Sequence, residues 1–248
     1  MKRKMISFSV WGGNFVKRSN FLSASMVFAT IFMSAFFSFG CRSGGFFLEA
    51  PGTIFIRQKA QDGQVYLQSF LKEGPKLKAH GFSAYSLHRD LNDRGTFIIT
   101  LKCARLGEGV DFVRSPEFMD AMDKADAQIP MVWYGLDTTE RKYTQKPQMP
   151  GGIVIARNEV RDYKFWLKCF YMEDGGKHNH PGRKYKNTNY SIHHLPGKPE
   201  IAIVVHEASD VSKAPPFMRS EPMKGEMEST GVIGLDIWYG VNIQEGFF

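Results

Sequence analysis

The sequence predicts an α+β protein made of two tandem copies of one β-α-β-β-α-β unit. Three observations predict it. Marker phrases recur in order: Pro51-Gly52-Thr53-Ile54-Phe55-Ile56 returns as Pro150-Gly151-Gly152-Ile153-Val154-Ile155, Tyr85-Ser86-Leu87-His88 as Tyr190-Ser191-Ile192-His193, and Trp133-Tyr134-Gly135 as Trp238-Tyr239-Gly240. From Tyr85/Tyr190 to Trp133/Trp238 the offset stays at 105 residues, and Phe112, Arg114, Ser115 and Met122 recur on it as Phe217, Arg219, Ser220 and Met227. Within each copy, phrases of strand period alternate with phrases of helical period. A chain of 248 residues then divides into copies at 50–145 and 150–245, each a lobe of about 95 residues, behind an N-terminal segment at 1–41.

Each copy opens with Pro-Gly and alternating apolar residues, Ile54/Ile56 and Ile153/Ile155, the period of a half-buried strand. A helix follows, with Val65, Tyr66, Leu67 and Phe70 matched by Phe165, Trp166, Leu167 and Phe170. The Tyr-Ser-Leu/Ile-His strand comes next. A turn (Asp90 to Gly95, or Pro196 to Pro199) leads into a strongly apolar strand, Phe97 to Leu101 or Ile201 to Val205. Ser115-Pro116-Glu117 and Ser220-Glu221-Pro222 carry a capping oxygen, a preset φ and a first-turn acid, so they start a second helix or kink a longer one beginning near Asp210. Phe118/Met122 and Met223/Met227 lie at i, i+4 on its face. The Trp-Tyr-Gly strand closes the copy.

That order is the ferredoxin-like unit. The phrase Phe217 to Gly231, with Trp238-Tyr239 after it, resembles the dimeric α+β barrel superfamily, which includes antibiotic-biosynthesis-monooxygenase-like proteins, stress-responsive barrel proteins and haem-degrading enzymes. The resemblance covers about residues 50–245 and rests on element order. It implies that the two ferredoxin-like repeats form an intramolecular dimeric α+β barrel, a pseudo-dimer within one chain that is compatible with a monomer. It also implies a ligand cavity in each unit between its sheet and its two helices.

The net charge of +7 comes mostly from Lys2, Arg3, Lys4, Lys17 and Arg18, in a stretch of 41 residues without an acid. Beyond it, 27 basic residues face 25 acidic ones, and no basic stripe tracks a phosphate backbone, so nucleic acid is not an expected partner. Phe21 to Gly40 is uncharged over twenty residues and follows Lys17-Arg18, enough to span a bilayer with the basic flank inside. Ser38-Phe39-Gly40-Cys41 resembles a bacterial lipobox, with Ser38 where an aliphatic residue is usual, and makes Cys41 the candidate lipidation site. A plain signal peptide and an uncleaved anchor fit the same residues. All three readings export the body of the protein, and two of them tether it to the membrane. Cys103 and Cys169 would then remain as a disulfide or as two free thiols.

The candidate site residues are polar or aromatic groups on strands. His88 and His193 recur with Ser86 and Ser191 on one strand face, either as acid/base and ligand-positioning groups or as packed, hydrogen-bonded histidines. Trp133 and Tyr134, like Trp238 and Tyr239, point to opposite faces, so one of each pair fills the core and the other is free to line a pocket. Arg114 and Arg219 precede a helix cap and suit either an anion or a helix-end ion pair.

Differences between the copies point to the second. His206 replaces Leu101, Glu207 replaces Lys102, and the loop Met172 to Asn189 carries His178-Asn179-His180. Histidines at i, i+2 are weak metal candidates, and a glycine- and lysine-rich loop with exposed histidines is the commoner explanation. The resulting expectation is a small apolar or aromatic molecule bound in the second copy's pocket, with Trp238, Arg219, His88 and Tyr134 as the ligand-binding candidates across the two copies. The alternative is a monooxygenase-like enzyme, cofactor-free or haem-dependent, with His206, His193 and Tyr239 as catalytic candidates. A structural protein without an open pocket is the third. The cofactor is not readable from the sequence: phosphate-binding glycine loops, a G-x-S-x-G elbow and Cys-x-x-Cys are all absent.

Overall fold

The computed structural model describes residues 49–142, 151–175 and 187–248. The candidate targeting segment with Cys41, and the loop histidines His178 and His180, lie outside these residues. Among the described residues no helix is long and apolar enough to cross a membrane.

The first copy runs β1 (Gly52–Lys59), α1 (Gly63–Lys72), α2 (Gly74–Ala79), β2 (Phe82–Asp90), β3 (Thr96–Cys103), α3 (Leu106–Val113), α4 (Pro116–Asp123) and β4 (Met131–Lys142). The second runs β5 (Gly152–Val160), α5 (Tyr163–Gly175), β6 (Asn187–His194), β7 (Ile201–Ala208), a 3-10 turn at Val211–Lys213, α6 (Ala214–Met218), α7 (Glu221–Ser229) and β8 (Val232–Phe247). The second helix of each copy is thus broken in two. Ser115 sits at φ −68°, ψ 150°, the extended conformation that a following proline enforces, and its Oγ accepts from the Phe118 amide. Ser220 has the same backbone shape and stands at the same break between two helices, but its side chain makes no capping hydrogen bond.

The eight strands of the described residues join in one closed antiparallel barrel, in the order β1-β3-β2-β8-β5-β7-β6-β4 and back to β1. Each copy contributes four neighbouring strands, and hydrogen-bonded seams at β2–β8 and β4–β6 stitch the copies together. Closure leaves no strand edge, and an eight-stranded barrel has an interior just wide enough to be filled or to hold one small ligand. This is the dimeric α+β barrel fold, made from a single chain.

The register of the first strands corrects the sequence alignment by one residue. Gly52 pairs with Leu136, and Gly152 with Val241, which stands 105 residues further on; Gly52 therefore corresponds to Gly152, not to Gly151. Ile54 and Ile56 face the helices, whereas Ile153 and Ile155 face the barrel interior beside Phe55. Both faces of these strands are buried, so alternation gave no sign of the slip, and a slip of one residue reverses every side chain.

Three layers of core follow. Helices of the first copy cover its strands with one continuous cluster that includes Tyr66, Phe70, Leu77, Phe112, Phe118 and Met122. The second copy's outer layer is split between a cluster under α5 around Trp166, Tyr190 and Ile192 and another around Val211, Met218 and Tyr239. Inside the barrel, Trp133 of β4 and Trp238 of β8 stack at 3.6 Å over Phe55, Ile98, Ile155 and Ile203. Cys103 and Cys169 are both free thiols.

Candidate functional site

The stacked tryptophans fill only part of the barrel. Beside this packed part lies a half-open cavity of about 630 Å³, within the range of small-molecule sites. The resemblance implies cavities between sheet and helices; the cavity described here lies inside the barrel, with walls from both copies. Phe55, Ile153 and Val205 give it an apolar floor, and the exposed Glu245 and Phe247 stand at its edge.

Two histidines face each other's copy across this space. On β2, His88 is fully buried, and its Nε2 lies 2.8 Å from Ser86 Oγ, which is in short contact with Thr100 Oγ1. On β6, His193 is almost as buried, with Nε2 2.8 Å from Ser191 Oγ. The i, i+2 spacing on a strand sets both Ser–His pairs on one face. Gly135 and Gly240 leave room for them: a Cβ at Gly135 would come within 2.8 Å of the His193 Cβ, and one at Gly240 within 2.7 Å of the His88 Cβ. The glycine of each Trp-Tyr-Gly phrase is therefore part of the site's construction.

The two sites then diverge. Asp137 Oδ1, from β4 across the seam, lies 2.8 Å from His193 Nδ1 and also accepts from Thr53 Oγ1 at 2.8 Å. Burial works to raise the Asp137 carboxyl, but the His193 and Thr53 hydrogen bonds, with the Lys102 charge, outweigh it and hold it below the usual range. At the equivalent positions stand Asn242 and Ile153. Asn242 turns its amide to Glu245, and among the described residues Asn242 Oδ1 and His88 Nδ1 are buried without a hydrogen-bond partner. Burial pushes His88 down to about 3, and it stays neutral. A β-bulge follows each of these residues, at Thr138 and at Ile243, and re-aims the strand at the cavity.

Of the residues the sequence singles out, His88 and His193 line the cavity and Trp238 packs in the barrel core beside it. His206 does not: it is on the opposite face of β7, under α5, with ring contacts to Phe170 and Tyr190. The reason is the alternation of the strand, which puts Val205 and Glu207 in the cavity and 206 outside, as Leu101 is outside in the first copy. Tyr239 also faces the helices, where burial raises its hydroxyl pKa and the Arg219 charge opposes the rise. Arg219 is exposed beside that layer. Tyr134 packs on the outer layer of the first copy, with the Arg114 guanidinium over its ring at 5.4 Å. The proposed site of the second copy is thereby dispersed, and its histidine meets groups from the first.

Asp137, Thr53 and Thr100 were not singled out by sequence reasoning. One signal was present: on the 105-residue offset, Trp133-Tyr134-Gly135-Leu136-Asp137 matches Trp238-Tyr239-Gly240-Val241-Asn242, so the carboxylate is a copy-specific feature.

An axial haem ligand needs an imidazole nitrogen turned to the iron. In this cavity a serine holds Nε2 of both histidines, Asp137 holds Nδ1 of His193, and Nδ1 of His88 is buried. These residues do not fit haem. Among the described residues no group of three or more His, Cys, Asp or Glu side chains is placed to hold a metal ion.

No protein-family model and no curated protein matches the chain. Solved structures do match in fold. A candidate monooxygenase from Fusobacterium nucleatum has a TM-score of 0.55 at 8% identity, over 80% of this chain and 95% of that one. An anthrone oxidase-like protein has a TM-score of 0.52 at 8% identity, over 79% and 93%. A haem-binding protein of Thermus thermophilus has a TM-score of 0.50 at 12% identity, over 79% and 92%. Identities this low establish a shared fold and nothing finer.

Proposed function

We propose that this dimeric α+β barrel binds one small molecule inside the barrel, between its two copies rather than in a pocket of the second. The carrying observation is the cavity of about 630 Å³, with an apolar floor at Phe55, Ile153 and Val205 and a polar Ser–His pair from each copy. Such a wall suits a molecule with an aromatic or apolar body and one or two hydrogen-bonding groups. The fold hosts many functions, so the reading rests on the cavity and not on likeness.

The test is a cavity-filling variant. Val205→Trp should abolish the fluorescence enhancement of the apolar probe 8-anilinonaphthalene-1-sulfonate and the retention of any co-purified small molecule in native mass spectra, while the circular dichroism spectrum is kept. Equal probe binding by the folded variant would sink the reading.

The N-terminal segment is proposed to export this body and to tether it through Cys41. Support comes from the basic flank, the twenty uncharged residues and the small residues before Cys41. The mass of the mature N-terminus tests it. A diacylated Cys41 agrees, and an intact Met1 in the cytosolic fraction contradicts.

A further inference from the structure

We infer that Ser191, His193 and Asp137 form a nucleophilic acyl-transfer site for a small carboxylic ester held in the barrel cavity. The inference goes beyond binding, and it stands on the comparison of two sites that share an origin. In both copies a strand serine touches a histidine Nε2 at 2.8 Å, so the Ser–His pair alone is inherited scaffold. Only the second pair has a carboxylate behind the imidazole, and that carboxylate belongs to the first copy. The chain Asp137 Oδ1–His193 Nδ1–His193 Nε2–Ser191 Oγ is continuous at 2.8 Å per link, and all three residues line the cavity.

The chemistry follows from the hydrogen bonds. An ionised Asp137 can only accept, so the Nδ1 of His193 carries the proton and Nε2 is left as the acceptor for the Ser191 hydroxyl. Thr53 fixes the carboxylate by a second hydrogen bond to the same oxygen. On the other side, Asn242 gives His88 no partner, and the Ser86–His88 pair lacks the group that sets the tautomer and stabilises an imidazolium.

Ser191 Oγ attacks the ester carbonyl carbon while its proton passes to His193 Nε2. The carbon–oxygen bond to the alcohol then breaks, and that alcohol leaves with the proton from His193. Water, activated by the same nitrogen, attacks the acyl-serine, releasing a carboxylic acid and restoring the hydroxyl. The apolar floor selects an apolar or aromatic acyl group. Ser191 and His193 touch the substrate; Asp137 is a positioning residue.

The full chain is incubated with a fluorophosphonate, a probe of activated serines, and with p-nitrophenyl butyrate, and the adduct is mapped by peptide mass. The expected result is one adduct, on Ser191 and not on Ser86, with ester hydrolysis lost at least a hundredfold in Ser191→Ala. Asp137→Asn should lose labelling while Asp137→Glu keeps part of it, although both melt with wild-type cooperativity. No adduct on Ser191, or equal adducts on Ser86 and Ser191, would overturn the inference. If the anilinonaphthalene probe still binds in that case, the cavity reading survives without the chemistry.

Discussion

Asp137 and Asn242 occupy the same place in the two copies, each across a strand pair from a histidine, yet only Asp137 engages its partner. Its Oδ1 lies 2.8 Å from His193 Nδ1, whereas Asn242 bonds Glu245 and leaves His88 Nδ1 buried and unpaired. The exchange of Asp137 for Asn242, with that of Thr53 for Ile153, thus separates two sites that share the same Ser–His pair. Asn242→Asp should give His88 a carboxylate, and the imidazole should titrate well above its present value of about 3. Histidine ring signals followed by NMR against pH measure this, and an unmoved His88 signal would contradict it.

The same histidine makes the fold acid-sensitive. His88 is held at about 3 against 6.5 for a free imidazole, so the unfolded chain binds a proton that the folded chain refuses. The stability is fully present above the unfolded value and is lost as pH falls from about 6.5 towards 3, by several kcal/mol in total. Asp137 adds to the loss lower down, because its depressed carboxyl contributes only until pH falls through its folded value. Urea midpoints measured from pH 7 to pH 4 should fall steeply in the wild type and less steeply in His88→Gln.

Gly135 and Gly240 tie the scaffold to the site. Gly135→Ala places a methyl within 2.8 Å of the His193 Cβ, so β6 must shift, at a cost of about 1–3 kcal/mol. Because the shift moves His193 from Asp137, probe labelling of Ser191 should fall even where the variant folds. A melting temperature and labelling yield equal to wild type would refute the steric argument.

Trp133 and Trp238 stack at 3.6 Å in the barrel core, one from each copy. Trp238 is the more deeply buried, and Trp238→Ala should cost about 3–5 kcal/mol in urea denaturation. Both copies should unfold in one transition, since the seams and the stack belong to neither alone.

His206 provides the contrast. It lies under α5 on the far side of β7, so His206→Leu, the residue the first copy carries at 101, should leave binding of the anilinonaphthalene probe unchanged. A loss of binding greater than threefold would place His206 at the cavity after all.

Much of the architecture was legible because duplication prints it twice. Recurring markers gave the element order, and Ser115-Pro116 gave a helix start that the structure keeps while breaking the helix before it. The site was legible in part. His88 and His193 could be picked out by recurrence on a strand face, but Ile54 against Ile153 could not be placed on a face, because strands buried on both sides carry no alternation to read. His206 drew attention as a polar residue among apolar ones; its neighbours Val205 and Glu207 are the ones that face inward.

The sequence by itself determined the two-copy α+β design, the local element starts and the positions where the copies differ, since these depend on spacing, capping and composition. The tertiary structure decided which differences meet. Closure of the barrel through the β4–β6 seam brings Asp137 to His193 over a separation of 56 residues, with a bulge at Thr138 directly beside the contact. Hydrogen-bond register across a seam is a property of two strands together, and neither strand's own sequence encodes its partner.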